Sequence, residues 1–338
     1  ANINKLEKSG HLKGLILDLR NDPGGLLQAA IGVSAAFLPE KSDVVSIKGR
    51  TPQSDYAFKA VEKDYRSGNA AKALAELTPA AKTVPLVVLI NSSSASASEI
   101  VAGALQDHKR AVLLGDRSFG KGSVQTILPM TFGEKTVGVK LTTARYYTPT
   151  GRSIQKPYTI GDDESYEEDI WNRYKNNEFF SADSIHFADS LKRVTPGGKV
   201  VYGGGGIMPD VFVPADTTDV TKYFVEVAGR NILYRYTIEY ADRHREALNK
   251  VRTIPELQAL LDSDKGLVED FIRYAARKGV APDYRDIARS RKLIEAQLRA
   301  YIGRNTALED NGFYANIYPV DNVVVRAIGI LNDTQKND

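Results

Sequence analysis

VPLVVLINSSSASASEIVAGALQDHKRAVLLGDRSFGKGSVQ, residues 84–125, decides how this chain is read. An apolar strand, Pro85–Ile90, stops at Asn91. A run of serines and alanines, Ser92–Ser98, then leads into a helix from Glu99 to about Asp107, with Ile100, Val101 and Leu105 on its buried face. A second apolar strand, Ala111–Leu114, ends in a glycine-rich turn that carries one lysine, Lys121. A serine-rich strand-to-helix turn sets hydroxyls at a helix N-terminus, where peptide N–H groups can bind an oxyanion. A lysine on a nearby turn is placed to take a serine's proton.

Upstream, His11–Leu19 is a near-continuous apolar run, expected as a strand buried on both faces of a sheet. Arg20–Gly25 (RNDPGG) is a turn: Pro23 cannot donate to a ladder, and paired glycines permit close backbone approach. A helix is predicted over Leu26–Phe37 and a strand over Asp43–Lys48. Thr51–Thr83 reads as a polar surface excursion with a short helix near Ala71–Leu77. Downstream, Ser123–Met130 and Lys135–Tyr147 alternate and are rich in Val, Thr and Tyr, which predicts an antiparallel pair turning at Phe132-Gly133. Lys156–Tyr202, acidic at first and then aromatic, reads as an insertion, and Ile207–Val213 as a short strand.

From Thr217 the period is helical. Leu267, Val268, Phe271, Ile272 and Ala275 take amphipathic spacing with Gly279 at the C′ position. Asp283–Ile302 repeats the form before Gly303, and Asp321 is placed to cap a last helix through Leu331. The expected organisation is an α/β core over residues 1–216, with its insertion at about 156–202, and a helical domain over 217–338.

The 338 residues are 42% hydrophobic and 26% charged, an ordinary globular balance. Net charge is +3 with both signs interspersed, which argues for neither nucleic acid nor an anionic membrane surface. No cysteine is present, so disulfides, thiol nucleophiles and cysteine-bound zinc are excluded. Absence of cysteine suits an exported bacterial protein. The chain starts at Ala1 without an initiator methionine, and we read it as a fragment or processed form.

Three chemistries compete for the central stretch. Gly115–Gly122 (GDRSFGKG) nearly spells a phosphate-binding loop, but the residues after Lys121 alternate like a strand, whereas such a loop must open a helix. A Ser-His-Asp hydrolase lacks its G-x-S-x-G elbow, and the four histidines, His11, His108, His186 and His244, sit in polar surroundings without metal spacing. A serine–lysine pair needs a neutral lysine. An ordinary lysine has a pKa of about 10.4, so burial must lower it by several units. Lys121, between glycines and beside an apolar strand, is the candidate; the bland alternative is a solvated hairpin tip. The residues alone leave open which serine is chemical.

Five segments, LILDLRNDPGG (15–25), VPLVVLINSSSASASEI (84–100), GDRSFGKGSVQ (115–125), TARYYTPTGRSIQ (143–155) and GIMPDV (206–211), together resemble the carboxy-terminal processing (tail-specific) serine peptidases, in that family's order. The resemblance implies a crotonase/ClpP-like α/β core with a mixed sheet, followed by an α-helical C-terminal extension. It implies Ser96 as nucleophile and Lys121 as base, with Gln125 orienting the lysine. On a strand, Lys121 and Gln125 share a face because the side-chain period is two. It further implies oxyanion donors at the Ala97 amide and at Gly24 or Gly25, with Asp107 matching a position sometimes given to a charge relay. No metal or organic cofactor is implied. Family partners are protein substrates with exposed C-terminal tails, and a PDZ domain normally precedes the core; it is not visible here. An extracytoplasmic site in a bacterium and an oligomeric state open to either answer complete the expectation. The rivals are a non-catalytic peptide-binding scaffold of the same fold and the nucleotide-binding loop.

Overall fold

The computed structural model describes residues 2–50, 55–66, 70–133, 135–159, 161, 164, 166 and 168–336. The beginning of the polar excursion at Thr51 and much of the acidic run after Asp162 lie outside the described residues. The chain divides into two compact units, Ala1–Pro214 with Ala327–Asp338, and Ala215–Arg326. The expected helical domain ran to residue 338; the last twelve residues instead cluster with the first unit, where Leu331 packs on Gly14.

The first unit begins with helix α1 (Asn2–Lys8), strand β1 (Leu15–Asp18) and helix α2 (Leu27–Phe37). Strands β2 (Asp43–Gly49) and β3 (Tyr56–Lys59) and two short helices, α3 (Glu62–Tyr65) and α4 (Ala70–Ala75), follow. Then come β4 (Leu86–Ile90), α5 (Ala97–Asp107) and β5 (Val112–Gly115). The rest is the hairpin β6 (Ser123–Phe132) and β7 (Lys135–Tyr147), helix α6 (Asp169–Lys175), the small pair β8 (Lys192–Val194) and β9 (Val200–Tyr202), and β10 (Val211–Phe212).

Two sheets organise these elements. One is parallel in the order β1-β4-β5-β10, with Leu15 opposite Leu86 and Val87 opposite Val112. The other is antiparallel in the order β3-β2-β7-β6. All five residues of β4 are buried, because it has a strand on each side and helices over its faces. The same burial was expected of the first apolar run, but β1 is an edge strand and only partly buried, so its apolar composition overstates its depth. The core beneath the sheets joins Ile31 and Leu38 of the α2 region to Val88 and Ile90 of β4 and to Ile100 and Leu105 of α5. The β6–β7 hairpin turns where the alternation predicts, and its far half is exposed on both faces, Ile127 and Phe132 included.

The second unit is helical. The loose period after Thr217 resolves into Lys222–Gly229, Ile232–Arg243 and Arg245–Leu248, with Asn231 in the left-handed region between the first two. The clearer patterns form Leu267–Arg277 and the long Tyr284–Arg304, whose Asp283 cap accepts from the Arg285 and Asp286 amides at 3.0 Å. Tyr236, Phe271, Ile294 and Leu298 centre this unit's own core.

Candidate active site

Three loops leave the carboxyl ends of β1, β4 and β5, where open parallel sheets build their ligand sites. They are stitched together. Asn21 and Asn91 exchange hydrogen bonds at 2.9 Å, Ala95 donates its amide to Asp22 O at 3.0 Å, and the buried Ser94 hydroxyl donates to Leu19 O at 2.7 Å. The third loop joins through the Phe119 amide, which donates to Ser94 O at 3.0 Å.

Ser96 is the N-cap of α5, with φ of 58° and ψ of −114°. A non-glycine residue so far from the ordinary wells costs on the order of 1–3 kcal/mol and persists only where its surroundings enforce it. Gly24, φ 89°, lies directly against this turn: a Cβ there would sit 2.6 Å from Ala97 N and 2.9 Å from the Ser96 Cβ, so only glycine fits. The Gly24 amide is given to Asp22 Oδ1 at 2.9 Å. The Gly25 and Ala97 amides have no acceptor among the described residues.

Beneath the serine turn lies a carboxylate that the sequence reading passed over. Glu99 is fully buried, and its four partners are all donors. Oε2 accepts the Ser96 amide at 2.9 Å and the Lys121 amide at 2.8 Å; Oε1 accepts the Gly120 amide at 2.7 Å and the Ser118 hydroxyl at 2.6 Å. One oxygen thus holds the backbone of both the serine and the lysine, no more than two hydrogen bonds apart. Burial pushes the Glu99 pKa above the usual carboxylate value, and the four hydrogen bonds pull it back. The signal was present: Ser96-x-x-Glu99 is the capping-box spacing. The same geometry argues against the nucleotide reading, since the glycine-turn amides that would cradle a phosphate are already bound within the chain: Gly120 and Lys121 to Glu99, Gly122 to Gln155, and Ser118 and Phe119 to backbone carbonyls.

Lys121 is half-buried, and its amine makes no hydrogen bond or ion pair with described residues. It lines a cavity of about 700 Å³ together with Gln125, Pro23, Ala95, Phe119 and Tyr166. The strand argument that put Lys121 and Gln125 on one face does not hold: β6 begins only at Ser123, and a bulge interrupts it between Val124 and Gln125. The cavity brings the two residues together instead. A second lysine, Lys156, is the buried one, its side chain 2% exposed. It lies over the Phe119 and Tyr166 rings at 4.2 and 3.9 Å and donates to Tyr166 O at 2.8 Å. Burial lowers its pKa, and Asp169, 3.3 Å away, opposes that. Its amine is occupied and it does not line the cavity.

Asp107 is not brought to Ser96. Eleven residues at about 1.5 Å of rise put the two ends of α5 roughly 15 Å apart. At the far end Asp107 is buried against Arg152 at 3.0 Å and accepts the Thr150 amide and hydroxyl at 3.0 and 2.8 Å. It is part of a scaffold pair, and the relay expected of it has no geometric basis. His108, next along, contacts Asp43 O at 2.7 Å and is equally remote.

Residues 1–165 match peptidase family S41. The matched range takes in Ser96, Glu99, Lys121 and Gln125 and stops short of α6. Residues 223–307 match a family of unknown function, DUF8443. The chain is also similar to curated proteins, over more residues than the S41 match spans. The chain is 44% identical over 208 residues to a carboxy-terminal-processing protease of Bartonella bacilliformis, covering 62% of this chain and 42% of the relative. It is 35% identical over 205 residues to a carboxyl-terminal-processing protease of a Synechocystis species, covering 61% and 42%. The chain therefore spans about two fifths of the length of these curated relatives. A solved photosystem II D1 C-terminal processing protease is 37% identical over 45% of this chain and 34% of its own, with a TM-score of 0.34.

Proposed function

We propose that the protein is a serine endopeptidase that cleaves near the C-termini of other proteins through a Ser96–Lys121 dyad. The observation that carries this is the single Glu99 oxygen that accepts both the Ser96 and the Lys121 amides, which fixes a strained serine turn and a lysine turn against each other. Ser96 Oγ attacks the substrate carbonyl carbon while Lys121, unprotonated, takes the hydroxyl proton. The oxyanion accepts from the Ala97 and Gly25 amides; Gly24 serves by its lack of a side chain, its own N–H being spent on Asp22. Lys121 then protonates the leaving amine, and the ester left on Ser96 is hydrolysed by water that Lys121 activates. Gln125, across the cavity wall from Lys121, orients the amine. The names of the relatives support C-terminal tails as substrates; a PDZ domain as the partner that delivers them is what the family resemblance of the five motifs implies. An extracytoplasmic site, with which a cysteine-free sequence is compatible, completes this reading.

The test is covalent labelling with a fluorophosphonate alongside turnover of an unstructured peptide. Ser96→Ala is expected to lose labelling and turnover with the fold kept, and Lys121→Ala to lose turnover. Wild-type turnover is expected to rise with pH, because the base acts only when neutral. Absence of labelling and turnover in the folded wild-type protein, or labelling that survives Ser96→Ala, rejects the assignment and leaves a binding scaffold.

A further inference from the structure

The turn that presents Lys121 is gripped from two opposite sides, and only one grip comes from the S41-matched region. On its amide edge stands Glu99. On its carbonyl edge stands Arg173 of α6, with a side chain 2% exposed. Arg173 Nη1 donates to Ser118 O at 2.8 Å and to Arg117 O at 3.3 Å, and Nη2 donates to Phe119 O at 2.9 Å. The peptide unit between Phe119 and Gly120 shows what this does. A peptide is planar, with its N–H and C=O pointing opposite ways. Here the N–H is held by the Glu99 carboxylate at 2.7 Å and the C=O by the Arg173 guanidinium at 2.9 Å. The dipole next to Lys121 is thus clamped between a buried anion and a buried cation and has no freedom to rotate.

The arginine is itself anchored. Its Nε lies 3.0 Å from Asp169 Oδ2, an ion-pair contact that is not aligned as a hydrogen bond. Arg117, on the clamped turn, pairs with Glu178 just beyond α6 and donates to Gly205 O at 3.1 Å. Lys156 shares Asp169 at 3.3 Å. A surface insertion would not bury a guanidinium and aim its two terminal nitrogens at three consecutive carbonyls. Lysine could not reproduce the contact, since an ammonium lacks the planar fork.

We propose that Arg173 is a positioning residue of the peptidase site and that α6, with Lys156 and Glu178, is part of its machinery: the guanidinium locks the carbonyl edge of residues 117–119 so that Lys121 is presented to Ser96. This rests on the dyad reading above, so the experiment has one arm that depends on activity and one that does not. In the independent arm, hydrogen exchange of the Gly120 and Lys121 amides is followed by mass spectrometry in the full chain. Arg173→Met is expected to speed that exchange at least about tenfold, while peptides from Leu267–Arg277 keep wild-type rates. In the activity arm, Arg173→Met is expected to lower kcat by about 10–100-fold with KM within about threefold, because a displaced base costs rate and not substrate contacts. Arg173→Lys is expected to recover only part of that loss.

Exchange and kcat both at wild-type level in a folded Arg173→Met protein overturn the proposal, as does a full recovery in Arg173→Lys. If Arg173→Met does not fold, Asp169→Asn and Glu178→Gln loosen the anchors instead. Faster exchange at residues 120–121 supports the clamp there, and unchanged exchange overturns it. A wild-type protein that neither labels nor turns over sinks the dyad reading alone, and the exchange arm still decides the clamp.

Discussion

Helix α5 has a buried acid near each end, and the two are held in opposite ways. Glu99, in the first turn, faces three backbone amides and a hydroxyl and has no cation in contact among the described residues. Asp107, in the last turn, faces a buried guanidinium at 3.0 Å and the Thr150 cap. The first arrangement spends a charge on orienting backbone: it joins two turns that are 25 residues apart in sequence, Ser96 and Lys121. The second spends a charge on another charge and braces the return from β7 against the helix. A carboxylate bonded to amides sets local geometry to within a peptide rotation, whereas a paired one sets which elements stay together. Placement at a functional site therefore falls to Glu99, although Asp107 is the residue that family resemblance offered.

The comparison is broken most directly at Glu99. Glu99→Gln keeps the volume but puts an NH₂ where one oxygen stood. Turned one way it leaves the Ser96 and Lys121 amides facing a donor; turned the other way it leaves the Gly120 amide so placed. Each buried donor left unpaired costs about 1–3 kcal/mol. We expect a loss of about 2–4 kcal/mol in urea unfolding together with a fall of about 100-fold or more in kcat, since both members of the proposed dyad shift. A variant that loses stability yet turns over at the wild-type rate would reduce Glu99 to the same status as Asp107.

The other end is expected to behave in reverse. Arg152→Met leaves Asp107 charged and uncompensated in the interior, which costs about 3–5 kcal/mol. Arg152→Met combined with Asp107→Leu removes both charges and is expected to restore part of that stability. In the double variant kcat stays within about threefold of wild type. A large fall in kcat with stability restored would return Asp107 to the reaction and reopen the relay.

How much of this was legible follows from the distance over which each feature is encoded. Ser96, Lys121 and the glycine turn sit in contiguous motifs, and the strands and helices around them follow from local period. Gly279, at φ 86°, ends its helix where a C′ glycine belongs. Glu99 was legible in principle, because its bond to the Ser96 amide spans three residues and has a known spacing. Its bonds to Gly120 and Lys121 were not, since nothing local marks them. The edge position of β1 was hidden because an apolar run looks the same on an edge as in the middle of a sheet. Arg173 was furthest from reach. Its acceptors are carbonyls 54–56 residues away, and carbonyls carry no side-chain identity to read.

A third acid sharpens the contrast at smaller scale. Asp116 opens the lysine turn, and burial pushes its carboxyl from 3.8 up to about 6, against the pull of the Ser92 amide and of Arg173, Arg117 and Arg20. Its Oδ1 is buried without a hydrogen-bond partner among the described residues. It has neither the full set of donors that Glu99 commands nor the direct cation that Asp107 has. With the folded pKa above the unfolded one, the folded state holds its proton more tightly. The stabilising contribution is therefore whole below about pH 3.8 and is lost as pH rises through about 6. Asp116→Asn removes the titration and gives the orphaned position an amide. Denaturant unfolding should then find the two proteins within about 0.5 kcal/mol of each other below pH 4, with the variant gaining across pH 4–6. Above pH 6 the variant should lead by up to about 3 kcal/mol, the linkage limit for such a shift. A gap of the opposite sign, or one that ignores pH, would mean that the three arginines already neutralise Asp116, which would place it beside Asp107 among the paired acids.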